Sequence, residues 1–233
     1  GVGQFCTNPG LVFAVDGPAL QTFTGKLGEW FEQAAPGTML NPSIAKNYEE
    51  RFQNAAAVKN TQAKCATRTA DPRRTEGRPG SLTTDAATWL ANHALHEEIF
   101  GPATLLVRCS SPQQLLECSR ALDGTLTATV HGTPEEIGQN GALLEILTQK
   151  AGRVLFNGFP TGVEVSSAMH HGGPYPATTD ERFTSVGTTA IYRFARPICY
   201  QNAPEAVLPA ELKNANPLGI WRTVDGVLSR NPL

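Results

Sequence analysis

The chain has 233 residues, 40% of them hydrophobic and 17% charged, a balance that supports a sizeable core in one large domain or two small ones. Its formal net charge is -2, so no excess of positive charge neutralises phosphates, and nucleic acid is excluded as an expected partner. No run of about 18 apolar residues occurs, which excludes a membrane-spanning helix, and the opening Gly1-Val2-Gly3-Gln4 does not read as a signal peptide.

Leu11 to Val15 is a short apolar run between Gly10 and Asp16-Gly17 and predicts a buried strand. A helix should follow, capped by Asp16 and started by Pro18, with Leu20, Phe23, Leu27, Trp30, Phe31 and Ala34 on one face and Pro36-Gly37 as its stop. A second helix starts at Asn41-Pro42 and carries Ile44, Tyr48, Phe52 and Ala55 on one stripe. Residues 59–82 read as irregular because Pro72, Gly77, Pro79 and Gly80 break any period. Lys64, Arg68, Arg73, Arg74 and Arg78 cluster there among acidic neighbours, as in a solvated loop. Short strands are expected over 82–84 and 87–90.

Leu105 to Cys109 predicts a strand, and Ser111-Pro112 opens a helix that Asp123-Gly124 ends. Thr125 to Val130 predicts another strand. Thr133-Pro134-Glu135-Glu136 is a capping box opening a helix to Ala151, weakened by Gly138 and Gly141, and Val154 to Phe156 is a further strand. This alternation predicts an α/β fold: a mostly parallel sheet with flanking helices, which binds ligands outside the carboxyl ends of its strands. The loop after Phe156 is therefore a place to look for a site. Residues 159–185 form a long loop rich in Gly, Pro, Ser, Thr and His; Thr188 to Tyr200 resumes strand-like usage, and the tail from 203 is loop-like.

Cys6 sits in a Gly-containing loop just before a strand, where a thiol is accessible and free amides lie nearby; the competing role is that of a small buried hydrophobe. The other cysteines, Cys65, Cys109, Cys118 and Cys199, are spaced too widely for a disulfide framework or a zinc site, so no metal is expected and the natural compartment is a reducing cytoplasm. In Glu97-Glu98-Ile99-Phe100-Gly101-Pro102 a carboxylate and a ring stand beside a Gly-Pro turn, suited to ribose hydroxyls and a flat heterocycle; the alternative is a surface acid before a core Phe. Either His170 or His171, ahead of Gly172-Gly173-Pro174-Tyr175-Pro176, is a candidate base for Cys6 in a thiol hydrolase; the alternative is a polar loop. No G-x-G-x-x-G follows a strand, and no P-loop or H-E-x-x-H occurs, so no complete dinucleotide domain is visible.

Together, Gly3-Gln4-Phe5-Cys6-Thr7, Glu97-Glu98-Ile99-Phe100-Gly101-Pro102 and Gly152-Arg153-Val154-Leu155-Phe156-Asn157-Gly158 resemble, in order and spacing, the nucleophile loop, cofactor-contact motif and substrate-tunnel strand of the aldehyde dehydrogenase superfamily. Phe156 to Gly162, His171 to Pro176 and Thr184 to Thr188 look like the branch holding α-ketoglutaric semialdehyde (2,5-dioxopentanoate) dehydrogenases and NADP-dependent fatty aldehyde dehydrogenases. The resemblance implies NAD or NADP as cofactor, a small-molecule aldehyde as substrate, the semialdehyde first, and a homo-oligomer at full length. It implies that Cys6 attacks the aldehyde and ends as a thioester, its amide in the oxyanion hole. It assigns Glu98 and Phe100 to the cofactor, and Asn157, Phe159 and Pro160 to the substrate tunnel.

In that family the cofactor domain, the general-base glutamate and the oxyanion asparagine precede the cysteine, whereas this chain starts five residues before Cys6 without an initiator Met. The chain is thus expected to be processed or a piece, the C-terminal catalytic half, and to turn over little alone. The expected division is a catalytic domain over 1–185 and an oligomerisation strand with tail over 186–233. The competing reading is a non-catalytic remnant serving as an assembly module.

Overall fold

Two units make up the computed structural model, which describes residues 1–233: Gly1–Arg193 and Phe194–Leu233. In the first, the elements run β1 (Leu11–Val15), α1 (Pro18–Gln33), β2 (Gly37–Thr38), α2 (Pro42–Ala56), β3 (Gln62–Cys65), β4 (Glu76–Gly77), β5 (Gly80–Asp85), α3 (Ala86–Ala91), β6 (Ala103–Cys109), α4 (Pro112–Ala121), β7 (Thr125–Val130), α5 (Pro134–Gln139), α6 (Gly141–Lys150) and β8 (Ala151–Phe156).

The main sheet has the order β1-β6-β5-β3. β6 pairs in parallel with both β1 and β5, and β3 adds to β5 antiparallel, so the sheet is mixed. β6 takes an inner place because Leu105, Leu106 and Val107 run apolar without a break, which suits a strand covered on both faces. Leu11 and Leu82 both stand in register with Leu105. Around them pack Tyr48 and Phe52 from α2, Trp89 from α3 and Cys109. Trp89 is fully buried, with its ring edge-on to Phe13 at 5.0 Å. Burying side chains of this size stabilises the fold by about 1.5–3 kcal/mol each. A second, two-stranded parallel sheet joins β7 to β8. In α5 both halves of the Thr133–Glu136 capping box form as expected.

Several expectations are corrected. Residues 87–90 lie in α3 rather than a strand: Asp85 caps that helix by accepting from the Thr88 amide at 2.8 Å, and two alanines begin it. The stretch 59–82 is not irregular; it holds β3, β4 and the start of β5. Asp16 does not cap α1: the cap is Gly17, and Asp16 accepts only from the Gly17 amide. α1 forms as expected, yet of its apolar face Leu20 is buried while Phe23 and Trp30 are exposed. The helix expected from Thr133 to Ala151 breaks at Asn140, just before Gly141, into α5 and α6.

No strand forms over 188–200; residues 188–189 form a turn, Ala190–Phe194 is a 3-10 turn, and 195–200 has no regular structure. A strand must pair its backbone N–H and C=O groups, and no strand of the chain pairs with this segment. Ile191, Tyr192, Phe194, Ile198 and Tyr200 are exposed.

The second unit is not loop throughout. β9 (Arg222–Val224) and β10 (Val227–Ser229) form an antiparallel hairpin. Its turn residues, Asp225 and Gly226, have φ of 48° and 83°, the left-handed region that an Asp-Gly pair favours between strands. The buried Asn216 donates its amide to the Ile220 and Arg230 carbonyls and ties this unit together.

Candidate active site

Cys6 lies exposed in the turn-rich segment that precedes β1. Gly3 makes the placement of that loop possible. Its φ is +64°, and a Cβ there would stand 2.1 Å from the Gly101 carbonyl oxygen, so only glycine lets the loop lie this close to the Glu97–Pro102 turn. The buried Thr7 donates its hydroxyl to the Pro160 carbonyl at 3.0 Å, and Thr104 of β6 donates to the Pro9 carbonyl at 2.8 Å. The Cys6 loop is thereby pinned to β6 and to the loop after β8. The Cys6 amide donates to no group of the chain, which leaves it available to an oxyanion.

The Cys6 Sγ stands 3.7 Å from His171 Nε2. Gly152 in β8 permits this meeting, because a Cβ on it would stand 2.0 Å from the Gly172 carbonyl oxygen. The His171 amide donates to Thr184 Oγ1 at 2.8 Å, and the Ser185 amide and hydroxyl both donate to the His171 carbonyl at 2.9 Å. Its Nδ1 is buried and has no hydrogen-bond partner. Burial, with the Arg153 guanidinium and His170 nearby, holds the His171 pKa below the ordinary histidine value.

Arg153 projects from β8 and donates to the carbonyls of Gly162 at 2.9 Å and Pro160 at 2.8 Å. The Pro160 carbonyl thus receives both Thr7 and Arg153, joining β8 to the Cys6 loop. An arginine inside the otherwise apolar Gly152–Phe156 run signals a polar partner in the sequence, though not which carbonyl it meets.

Glu98 and Phe100 lie together in a cleft of about 350 Å³ that Asn47, Tyr48 and Arg51 of α2 also line. Glu97 is engaged with Arg51 and the Tyr48 hydroxyl donates to the Arg78 carbonyl at 2.6 Å, whereas the exposed Glu98 carboxylate has no partner. A free carboxylate beside a half-buried ring has the chemistry to meet a nucleotide's ribose hydroxyls and flat base.

The three expected tunnel residues differ in setting. Pro160 is buried against Thr7. Phe159 is exposed, its ring 6.0 Å from that of His131. Asn157, at φ +49°, accepts from the Gly132 amide at 2.9 Å and donates to the Gly132 carbonyl at 2.8 Å, so its side chain closes the β7 and β8 ends. The loop after Phe156 does reach the site, as the carboxyl-end rule predicts. In the main sheet, however, Cys6 and Glu98 precede β1 and β6 and gather at the amino ends of those strands. The cleft at the opposite ends, about 250 Å³, is lined by Asp16, Asp85, Ala87, Arg108, Ser110 and Gln114.

No protein-family model matches the chain. The chain is 46% identical over 234 residues to an alpha-ketoglutaric semialdehyde dehydrogenase of Acinetobacter baylyi, covering 99% of this chain and 44% of the relative. It is 43% identical over 228 residues to alpha-ketoglutaric semialdehyde dehydrogenase 2 of Azospirillum brasilense, covering 97% of this chain and 43% of the relative. The chain therefore spans less than half the length of these curated relatives. Its fold matches an aldehyde dehydrogenase of Bacillus cereus, solved as an NAD+ complex, with a TM-score of 0.63 at 18% identity over 82% of this chain and 38% of that one.

Proposed function

We propose, from the premise that the chain is homologous to part of the alpha-ketoglutaric semialdehyde dehydrogenases and has the aldehyde dehydrogenase fold, that it supplies the nucleophile of an NAD(P)-dependent dehydrogenase acting on α-ketoglutaric semialdehyde. The observation that carries this reading is the convergence on one loop. Gly3 on Gly101, Thr7 on Pro160 and Cys6 near His171 bring three distant segments around an exposed thiol.

The Cys6 sulfur adds to the aldehyde carbon, and the Cys6 amide steadies the oxygen that becomes negative. Cys6 then carries the acyl group as a thioester until water releases the acid. The cofactor, when bound, supplies the hydride acceptor, with Glu98 holding its ribose and Phe100 packing beside its nicotinamide end. Pro160 and Phe159 border the substrate path, and Asn157 holds the β8 end that carries them. The free thiols suit the cytoplasm, and the exposed aromatic segment over 188–200 serves a homo-oligomeric interface of the full-length enzyme.

The test is a panel of α-ketoglutaric semialdehyde and long-chain aldehydes with NAD and NADP, run on the full-length protein and on its Cys6→Ala variant. The semialdehyde gives the highest kcat/KM, and Cys6→Ala removes turnover. A preference for the long-chain aldehydes, or activity that survives Cys6→Ala, overturns the reading. The isolated 233-residue chain is expected to show little turnover, since its relatives are more than twice its length.

A further inference from the structure

We infer that Arg153 is a positioning residue for Cys6: from β8 it fixes, through the Pro160 carbonyl and the Thr7 hydroxyl, the turn that holds the thiol. The inference rests on the reading of Cys6 as the nucleophile and adds what sets the place of its sulfur. Arg153 Nη2 donates to the Pro160 carbonyl at 2.8 Å, and the same oxygen accepts the Thr7 hydroxyl at 3.0 Å. Thr7 follows Cys6 directly, and the Asn8 amide closes a turn around both by donating to the Phe5 carbonyl at 2.9 Å.

Each link of this relay is stiff. Arg153 stands in the β7–β8 ladder opposite Thr127, so its base is fixed by strand pairing. Its planar fork grips two carbonyls, Nη1 donating to Gly162 at 2.9 Å, which sets the direction of the loop after β8 as well as its distance. Pro160 is buried, and its ring restricts φ. Thr7 is 3% exposed and directs its hydroxyl proton to this one oxygen.

Stability alone does not account for an arginine here. The β8 residues that follow it, Val154 and Leu155, are apolar. None of the chain's ion pairs includes Arg153, so its charge meets only neutral carbonyls, and its Nε is buried without a hydrogen-bond partner. Drawing a guanidinium out of water with no carboxylate to meet it costs more than placing an aliphatic side chain there. What the arginine adds is a fixed carbonyl at Pro160, from which the Cys6 turn is held. Attack on a carbonyl carbon tolerates little error in where the sulfur stands, so a contact two residues removed from the chemistry acts on its rate.

The test uses the full-length protein. Hydrogen exchange read by mass spectrometry follows the Asn8 amide, with the amides of β1 and β6 as the control for global loosening. Arg153→Gln raises exchange at Asn8 by about tenfold and leaves β1 and β6 unchanged. Arg153→Lys, which keeps the stem and the charge without the fork, raises it too. Thr7→Val removes only the hydroxyl and raises it as much as Arg153→Gln, the double variant raises it no further, and Thr7→Ser keeps the unmodified rate. An unchanged Asn8 amide in Thr7→Val, additive effects in the double variant, or equal loosening of β1 and β6 in all variants overturns the inference. With α-ketoglutaric semialdehyde, Arg153→Gln and Thr7→Val each lower kcat by about tenfold and keep KM within about twofold; a raised KM at constant kcat overturns it. Exchange needs neither aldehyde nor nicotinamide. A protein inactive on the semialdehyde leaves the exchange result standing, and a failed exchange test leaves Cys6 a nucleophile placed by other contacts.

Discussion

Cys6 stands exposed on a loop held by glycine contacts and faces a histidine, whereas Cys109, closing β6, and Cys118, on α4, are fully buried in the core. Burial pushes the Cys109 thiol up to about 12, helped by Cys118 beside it, and burial raises Cys118 as well. One residue type thus has two fates. In the core the thiol is a small apolar filler that stays protonated, and in the loop it is open to solvent beside an imidazole. The contrast comes from the loop or strand each cysteine occupies and from how that segment meets its neighbours.

The largest test of this contrast is kinetic. In the native chain at about pH 8, Cys6 should react with a thiol reagent on the order of a thousandfold faster than Cys109 or Cys118, which must wait for the β6–α4 layer to open. Site-resolved mass spectrometry measures it, and comparable rates would break the comparison. Next comes stability. Cys118→Ser puts a hydroxyl in an apolar site and should lower stability by about 1–3 kcal/mol, while Cys6→Ser should stay within about 0.5 kcal/mol; urea midpoints separate the two. The smallest effect is alkaline. The folded Cys109 pKa lies above that of the unfolded chain, so its stabilising contribution is fully present below about pH 8.5 and is lost as pH rises toward about 12. Tyr48, whose phenol burial also raises, acts in the same direction. Tm should therefore fall from about pH 8.5 upward, and Cys109→Ala should flatten the fall.

Much of the first unit was legible in the residues. β1, β6, β7 and α2 fall where apolar period and end signals place them, and the capping box at Thr133 forms as written. Errors arose where tertiary pairing outweighs local pattern. Gln62–Cys65 looks polar and irregular, yet it completes the sheet through antiparallel bonds to β5. The 188–200 segment has strand composition, yet no strand of the chain pairs with it. The β9–β10 hairpin is legible in its Asp-Gly pair between apolar residues, against the loop-like composition of the tail. At the site, motif resemblance marked Cys6, Glu98 and Phe100. The Thr7–Pro160–Arg153 tie depends on the tertiary fold, because nothing local says which carbonyl an arginine will find.

Cys6 and His171 are separated by 165 positions along the chain. Closing so long a loop costs entropy that only the folded sheets between them recover, and the two side chains meet only after β1, β6 and β8 have found their places. Their encounter therefore reports that folding has finished. A chain released or cut before residue 171 would carry the thiol without the histidine, so the order of synthesis itself delays the pairing of the thiol until the fold around it is complete.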